Sequence, residues 1–277
     1  MRNLIISDGL GYDLTVPEQI NIAAEAGWDG MFTDWHLGDD LEAYAKAMDL
    51  AKMKYQSVHA PFGKTYLLWE SELDGDEYAD MQIECLRQSK NAEVDMVVMH
   101  AIIGMERCTP TALGLKRFER IFTAAENLRV TVALENTEGE IYVEALMKEF
   151  GSSPYVRFCI DTGHEMCYNQ SRDLIGKYAD KLVCTHLNDN MGQTGEKITW
   201  LDDSHLLPFD GVADWQRIAD RLNAAGYSGD LTFELTSKNK PERNTHDRYS
   251  HLDYKGFVTL ALQRAKRFRE IIDRTAL

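Results

Sequence analysis

Eight short apolar runs, most of them rich in Val, Ile, Leu, Phe or Thr, alternate with segments of helical periodicity along the whole chain, and this alternation leaves few folds open. The runs are Leu4–Ser7, Gly30–Asp34, Gln56–His59, Met96–His100, Thr131–Glu135, Arg157–Asp161, Leu182–His186 and Leu231–Glu234. A strand that is followed each time by a helix indicates a parallel sheet, because a parallel neighbour is reached only through a crossover and not through a tight turn. The intervening segments have one apolar face each, as in Leu41, Tyr44, Ala45 and Met48, or Trp215, Ile218, Ala219 and Leu222. The last one carries Phe257, Leu260, Ala261, Phe268, Ile271 and Ile272, with Arg264 on the same stripe and expected to snorkel. AEAGWDG (24–30) and NAAGYSG (223–229) echo one another, and Gly27 and Gly226 suit the left-handed residue that closes a helix. Eight such units in 277 residues predict an α/β protein: a single (β/α)8 TIM barrel over residues 1–277, one domain, with its active site at the carboxyl ends of the strands.

Those carboxyl ends carry the chemistry. VTVALEN ends on Glu135, VRFCIDTGH on Asp161 with His164 in the turn, LVCTHLND on His186, and LTFEL on Glu234. Oxygen and nitrogen donors from four separate strands at one mouth spell a divalent-metal site. Taken singly, each residue also has an ordinary structural role: a helix cap for Asp161, a salt bridge for Glu234, a satisfied core imidazole for His186. His59 in SVHAP, His100 in VMHA, and Asp203 and His205 in D-D-S-H fit the same mouth as substrate contacts or additional metal ligands; His36, His246 and His251 fall outside these motifs. The longest gaps between strand ends, after His59 and after His186, hold extra loops expected to wall the site. SKNKPERNTHDR after the eighth strand offers Lys238, Lys240, Arg243 and Arg248 as phosphate-binding candidates, since that loop commonly binds phosphate in such barrels.

A formal charge of −15 disfavours a broad grip on a nucleic-acid backbone, which needs clustered Lys and Arg, and the acidic stretch WESELDGDEY (69–78) on an expected mouth loop would repel one. Five cysteines, Cys85, Cys108, Cys159, Cys167 and Cys184, form no C-x-x-C pair and fit reduced thiols, with Cys159 and Cys184 packed inside strands. No run of about 18 apolar residues and no signal-like start are present. The chain therefore reads as soluble and cytoplasmic, with no membrane partner. It holds no glycine fingerprint for a nucleotide or nicotinamide.

SVHAP, VMHA, ALENT, IDTGH, HLND, DSHLLPFDG-ADW and the terminal FEL together resemble the xylose isomerase-like barrel superfamily, which holds sugar isomerases and epimerases together with the endonuclease IV family. The isomerase and epimerase branch implies one ion, often manganese, with zinc, magnesium or cobalt as alternatives, held by Glu135, Asp161, His186 and Glu234. Glu135 and Glu234 would also be the acid/base pair that moves a proton on a sugar or sugar phosphate through an enediolate-like intermediate. The nuclease branch implies up to three zinc ions: His59, His100 and Glu135 on the first; Glu135, Asp161, His186 and Glu234 on the second; His164, Asp203 and His205 on the third. LPFDGVADW, in place of the nuclease's glycine-rich pattern, and Ser204, where the nuclease usually has arginine between two ligands, favour the sugar branch. A lyase, a dehydratase or a sugar-binding barrel that keeps the metal site is a further alternative, and barrels of this kind often form homo-oligomers.

Overall fold

A computed structural model describes residues 2–70, 73–104, 109–170 and 172–275. Eight strands form one parallel sheet: β1 (Leu4–Ser7), β2 (Gly30–Asp34), β3 (Lys54–His59), β4 (Met96–His100), β5 (Thr131–Glu135), β6 (Val156–Asp161), β7 (Leu182–His186) and β8 (Leu231–Phe233). Their order is β7-β6-β5-β4-β3-β2-β1-β8, so every strand from β1 to β7 lies beside its sequence neighbour and β8 returns to β1. The seam between β7 and β8 is narrow. Leu187 bridges to Phe233, Leu187 N–H donates to the Thr232 carbonyl at 2.8 Å, and the Thr185 hydroxyl oxygen accepts from Thr232 N–H at 3.1 Å. The result is a nearly closed single (β/α)8 TIM barrel. β3 and β6 begin earlier than their apolar runs suggest, and β8 stops one residue before Glu234.

Helices Val16–Ala26, Leu41–Ala51, Asp74–Asn91, Ala112–Leu128, Glu140–Phe150, Trp215–Ala224 and Tyr254–Thr275 form the outer wall, while among the described residues β6 is followed by the short Thr162–Cys167 and Leu174–Lys177. Most start on a side chain that satisfies an otherwise orphaned N–H: Asp40 accepts from Ala43, Thr111 from Gly114, Asp161 from His164, Asp173 from Gly176 and Asp214 from Arg217. Gly27 and Gly226 both have positive φ, as the echoed motif predicts. Arg264 leaves the apolar stripe to reach the Asp210 carboxylate at 2.9 Å. Cys85, Cys159, Cys167 and Cys184 are buried free thiols, and Cys159 and Cys184 pack with Val98 and Ala133; Cys108 lies outside the described residues. Among the described residues no helix is long and apolar enough to cross a membrane.

Two register shifts decide what stands level with what at the mouth. β6 and β7 pair Phe158 with Leu182, then Cys159 with Cys184, so β7 carries one extra residue, and Asp161 stands beside His186. Without the shift Asp161 would meet Thr185. β2 and β3 do the same between Met31 and Thr33, which brings Asp34 level with His59 in place of Val58. Bulges of this kind re-aim side chains, because a one-residue slip turns every later residue to the other face. β4 and β5 pair without a shift and set His100 beside Glu135.

The long connection from β7 to helix Trp215–Ala224 is pinned by Asp189, which lies just past the strand yet points away from the mouth. Its carboxylate accepts from Trp215 Nε1 at 2.9 Å and from the backbone N–H groups of Ala213, Phe209 and Asn190 at 2.9, 3.1 and 2.9 Å. The Asn190 and Trp215 donors are buried with no water to turn to, and those of Phe209 and Ala213 are part-buried. Asp189→Ala is therefore expected to lower stability by about 3 kcal/mol, since each bond to a charged acceptor contributes roughly 1.5–3 kcal/mol and orphaned donors add to the loss. The urea midpoint measures it; an unchanged midpoint would show the loop is held by other contacts.

Candidate metal centre

Every site residue expected from β3 to β8 arrives at the same mouth. One ligand atom from each of Glu135, Asp161, His186 and Glu234 lies within 4.8 Å of the others, and so do those of His59, His100 and Glu135, and of Asp161, His164 and His205. Glu135 is the hub: its Oε2 lies 3.1 Å from His59 Nε2, 3.4 Å from His100 Nε2 and 3.2 Å from His186 Nδ1. His186 Nδ1 is also 3.3 Å from Glu234 Oε2, so one imidazole stands between the two glutamates. Asp203 Oδ2 lies between His164 Nε2 at 3.2 Å and His205 Nε2 at 3.0 Å.

The imidazoles are aimed by the backbone. His59 Nδ1 meets the Ala60 carbonyl at 2.8 Å, His164 Nδ1 the Asn136 carbonyl at 2.9 Å, and His205 Nδ1 the Glu234 carbonyl at 3.2 Å. A carbonyl only accepts, so each Nδ1 carries the proton and Nε2 is turned into the mouth. His186 is held by Phe32, stacked on it at 4.7 Å between centroids with 8° between planes. Asp161 both caps a helix and belongs to the cluster: Oδ1 accepts from His164 N–H at 2.6 Å and Oδ2 from the Asn188 amide at 2.7 Å. An ionised carboxylate has about four lone-pair sites, so capping leaves room for a cation. Gly163 lets Asn188 in, because a Cβ there would collide with the Asn188 amide oxygen.

Charge follows from burial. Burial works to raise Glu135 and Glu234, but the neighbouring histidines, His186 with His100 at Glu135 and His186 with His205 at Glu234, outweigh it; Glu135 falls well below the carboxylate range and Glu234 to about 2. For Asp161 burial dominates and pushes the carboxyl up to about 7. Burial opposes charge on the histidines, yet neighbouring carboxylates raise His59 and His205 to about 9 and His164 and His186 well above their usual value, while His100 is lowered. Several buried polar atoms here make no hydrogen bond among the described residues: Glu135 Oε1, both His186 nitrogens, Asp203 Oδ1, Glu234 Oε2 and His100 Nδ1. Buried polar atoms are nearly always paired, and converging carboxylates repel. A divalent cation with mixed oxygen and nitrogen ligands answers both, so the residues present fit one.

Above the cluster lies a cavity of about 430 Å3 lined by His100, His164, Asp203, His205 and Glu234 and by Phe62, Tyr168 and Trp200. Phe62 comes from the loop after β3 and Trp200 from the loop after β7, as expected of wall loops. The acidic stretch 69–78 does not join them. It leads into helix Asp74–Asn91, where Asp76 pairs with Arg117 and Arg120, and none of its described residues lines the cavity; Ser71 and Glu72 lie outside the described residues. Of the four basic candidates, Lys238 and Lys240 line a cavity, whereas Arg248 turns to Asp210 and Arg243 towards Asp202. His246 is buried beneath the loop, and His36 and His251 are exposed.

Sequence reasoning missed Asn136, Asn188 and Asn190, although all three sit inside or beside the ALEN and HLND motifs. Asn136 exchanges bonds with both backbone groups of Asp161, at 2.7 and 2.9 Å, and Asn190 accepts from Ser204 and His205 N–H at 2.5 and 3.2 Å. It also missed Asp8 and gave Asp34 no role. These two carboxyls are raised, chiefly by burial, and Asp8 Oδ1 accepts from Asp34 N–H at 3.0 Å.

The family profile described as xylose isomerase-like TIM barrel matches residues 20–254. An uncharacterized protein, y4fM, of Sinorhizobium fredii (strain NBRC 101917 / NGR234) is 33% identical over 105 residues, 38% of this chain and 31% of that protein, so the match spans under a third of the relative's length. Among solved structures, a xylose isomerase-like TIM barrel/4-hydroxyphenylpyruvate dioxygenase fusion protein superposes with a TM-score of 0.77 at 14% identity, covering 100% of this chain and 45% of that one. D-psicose 3-epimerase from Clostridium cellulolyticum H10, solved with D-tagatose, superposes at 0.73 and 14% identity, covering 98% of this chain and 99% of that one. At such identities the likeness is one of fold.

A cation must displace the protons held by Asp161 and His186, so affinity is expected to rise with pH. Manganese or zinc titrations by calorimetry from about pH 6 to about pH 8 should show affinity increasing by roughly tenfold to a hundredfold per unit, steepest below about pH 7 where Asp161 and His186 both give up a proton, with protons released into the buffer. A flat profile would mean that these groups do not ligate.

Proposed function

The chain belongs to the xylose isomerase-like TIM barrel family, and on that premise we propose that it is a divalent-metal-dependent isomerase or epimerase of a sugar or sugar phosphate. One observation carries the reading: Glu135 and Glu234 approach His186 Nδ1 at 3.2 and 3.3 Å under a cavity walled by aromatic rings. Rings of this kind stack on the C–H faces of sugars, and paired carboxylates suit proton transfer. The sugar epimerase among the similar folds supports the same substrate class.

In this reading Glu135, Asp161, His186 and Glu234 hold the ion, manganese first, with zinc, magnesium or cobalt as alternatives. When bound, it polarises the substrate carbonyl and stabilises negative charge growing on that oxygen. Glu234, ionised and partly open to the cavity, takes the proton from the carbon beside the carbonyl, and the C–H electron pair moves to give the enediolate. Glu135, shielded from water, is the second member of the pair. Return of the proton to the former carbonyl carbon, with the hydroxyl proton passing from one oxygen to the other, isomerises; return to the opposite face of the original carbon epimerises. His100, His164 and His205 line the cavity and face the substrate hydroxyls, while His59, buried with its Nε2 3.1 Å from Glu135 Oε2, steadies that carboxylate and assists protonation. We read residues 1–277 as one domain of a cytoplasmic enzyme, with a homo-oligomer as the assembly.

A trinuclear-zinc nuclease is the second reading, favoured by the separate His59/His100/Glu135 and Asp161/His164/His205 groups. Against it, the cavity wall carries Lys240 as its one Lys or Arg among the described residues, beside Glu138, Asp203 and Glu234, and a phosphate backbone demands more positive charge. Elemental analysis separates the two: close to one ion per chain is expected, and three zinc ions would favour the nuclease. Glu234→Gln should retain the fold and lose roughly 100- to 10,000-fold of deuterium exchange from solvent into a sugar that the parent converts. Retained exchange would remove Glu234 from the acid/base role.

A further inference from the structure

A second cavity, of about 270 Å3, adjoins the first on the β1–β2 side, and the two share His205, Glu234 and Lys240 in their walls. The first holds the metal-ligand cluster and the aromatic rings. The second has none of those rings: beyond the shared residues its polar lining is Ser7, Asp8, Asp34, Thr236, Lys238 and Asn239, and Gly9, Leu235 and Pro241 complete the wall. A substrate that ended at Glu234 would leave this wall of polar groups facing only water.

We propose that the site is bipartite and that the substrate is a carbonyl sugar carrying a second, uncharged sugar or polyol unit, with the reacting unit over the metal-ligand cluster and the second unit in the Asp8–Asp34–Lys238 cavity. The inference rests on the reading of the mouth as a sugar site. The charge pattern selects the class of the second unit. Two carboxyls, Asp8 and Asp34, share the cavity with two ammonium groups, Lys238 and Lys240, and neither lysine makes a salt bridge among the described residues. The carboxyls, raised by burial, donate as well as accept, and the ammonium groups donate, so the wall offers hydrogen bonds of both kinds. A hydroxyl both donates and accepts, so a polyol finds a partner on either kind of group. Lys240 borders both cavities and stands 5.5 Å from the centre of the Trp200 ring, so its ammonium marks the boundary between the two units.

The test is equilibrium binding, which does not require turnover. Manganese-loaded protein is titrated calorimetrically with the reducing disaccharides maltose, cellobiose and lactulose, with glucose and fructose, and with glucose 6-phosphate. At least one disaccharide should bind about tenfold or more tightly than either monosaccharide, the gain expected from one or two added hydrogen bonds. Thr236→Trp, which fills the second cavity from its half-buried wall, should bring that ratio near one, with monosaccharide affinity and metal content unchanged. If that variant does not fold, Lys238→Trp fills the same cavity from an exposed loop position. Disaccharides that bind no tighter than monosaccharides, a preference that survives the filled cavity, or glucose 6-phosphate as the tightest ligand would each overturn the proposal. Solvent deuterium exchange into a monosaccharide reports on the isomerase reading separately.

Discussion

Buried like charge is the constraint on which the rest of this molecule depends. Glu135, Asp161, Asp203 and Glu234 are drawn to one barrel mouth with little access to water, an arrangement that would be costly if left alone. Four imidazoles, those of His59, His164, His186 and His205, answer it by holding protons in the metal-free protein, and three of them are fixed by Nδ1–H bonds to backbone carbonyls. The same wiring prepares the mouth for a cation. Once the protons leave, the ring nitrogens and carboxylate oxygens are already turned inward, so little reorganisation is needed to bind.

The barrel is shaped to serve that cluster. Its bulges fall between β2 and β3 and between β6 and β7, and each sets a site residue level with its neighbour: Asp34 with His59, Asp161 with His186. The asparagines following the strands then lock the turns. Asn136 grips the backbone of Asp161, Asn188 its carboxylate, and Asn190 the backbone at His205, a non-glycine residue with φ of 50°. Polar residues beside the motifs thus carry the positional load, while the chemistry-bearing groups stay free to face the cavity.

Much of this was legible in the amino-acid order. Strand-end donors stand out because an acidic residue directly after Val-Ala-Leu or Phe-Cys-Ile breaks the apolar run at the point where a barrel strand meets its mouth. The roles of Asp189 and of the 69–78 stretch were not legible. Both are acidic groups near a strand end or wall loop, but one accepts four N–H bonds behind the mouth and the other starts a helix and pairs with Arg117 and Arg120. Local sequence does not state which way such a carboxylate points. Likewise Asp161 reads as a helix cap or as a ligand, and its side chain has enough lone pairs to belong to both.

The sequence alone determined the eightfold strand–helix repeat, the end of the barrel that carries chemistry and the residue types gathered there, because hydrophobic periodicity and the residue that interrupts it are local properties. Only the tertiary structure decided which donors stand level, how near Glu135 and Glu234 come to one imidazole, and that a second polar cavity opens beyond Glu234. Those depend on strand register, bulges and the path of loops between residues far apart in the chain, and such distances are settled by packing across the barrel.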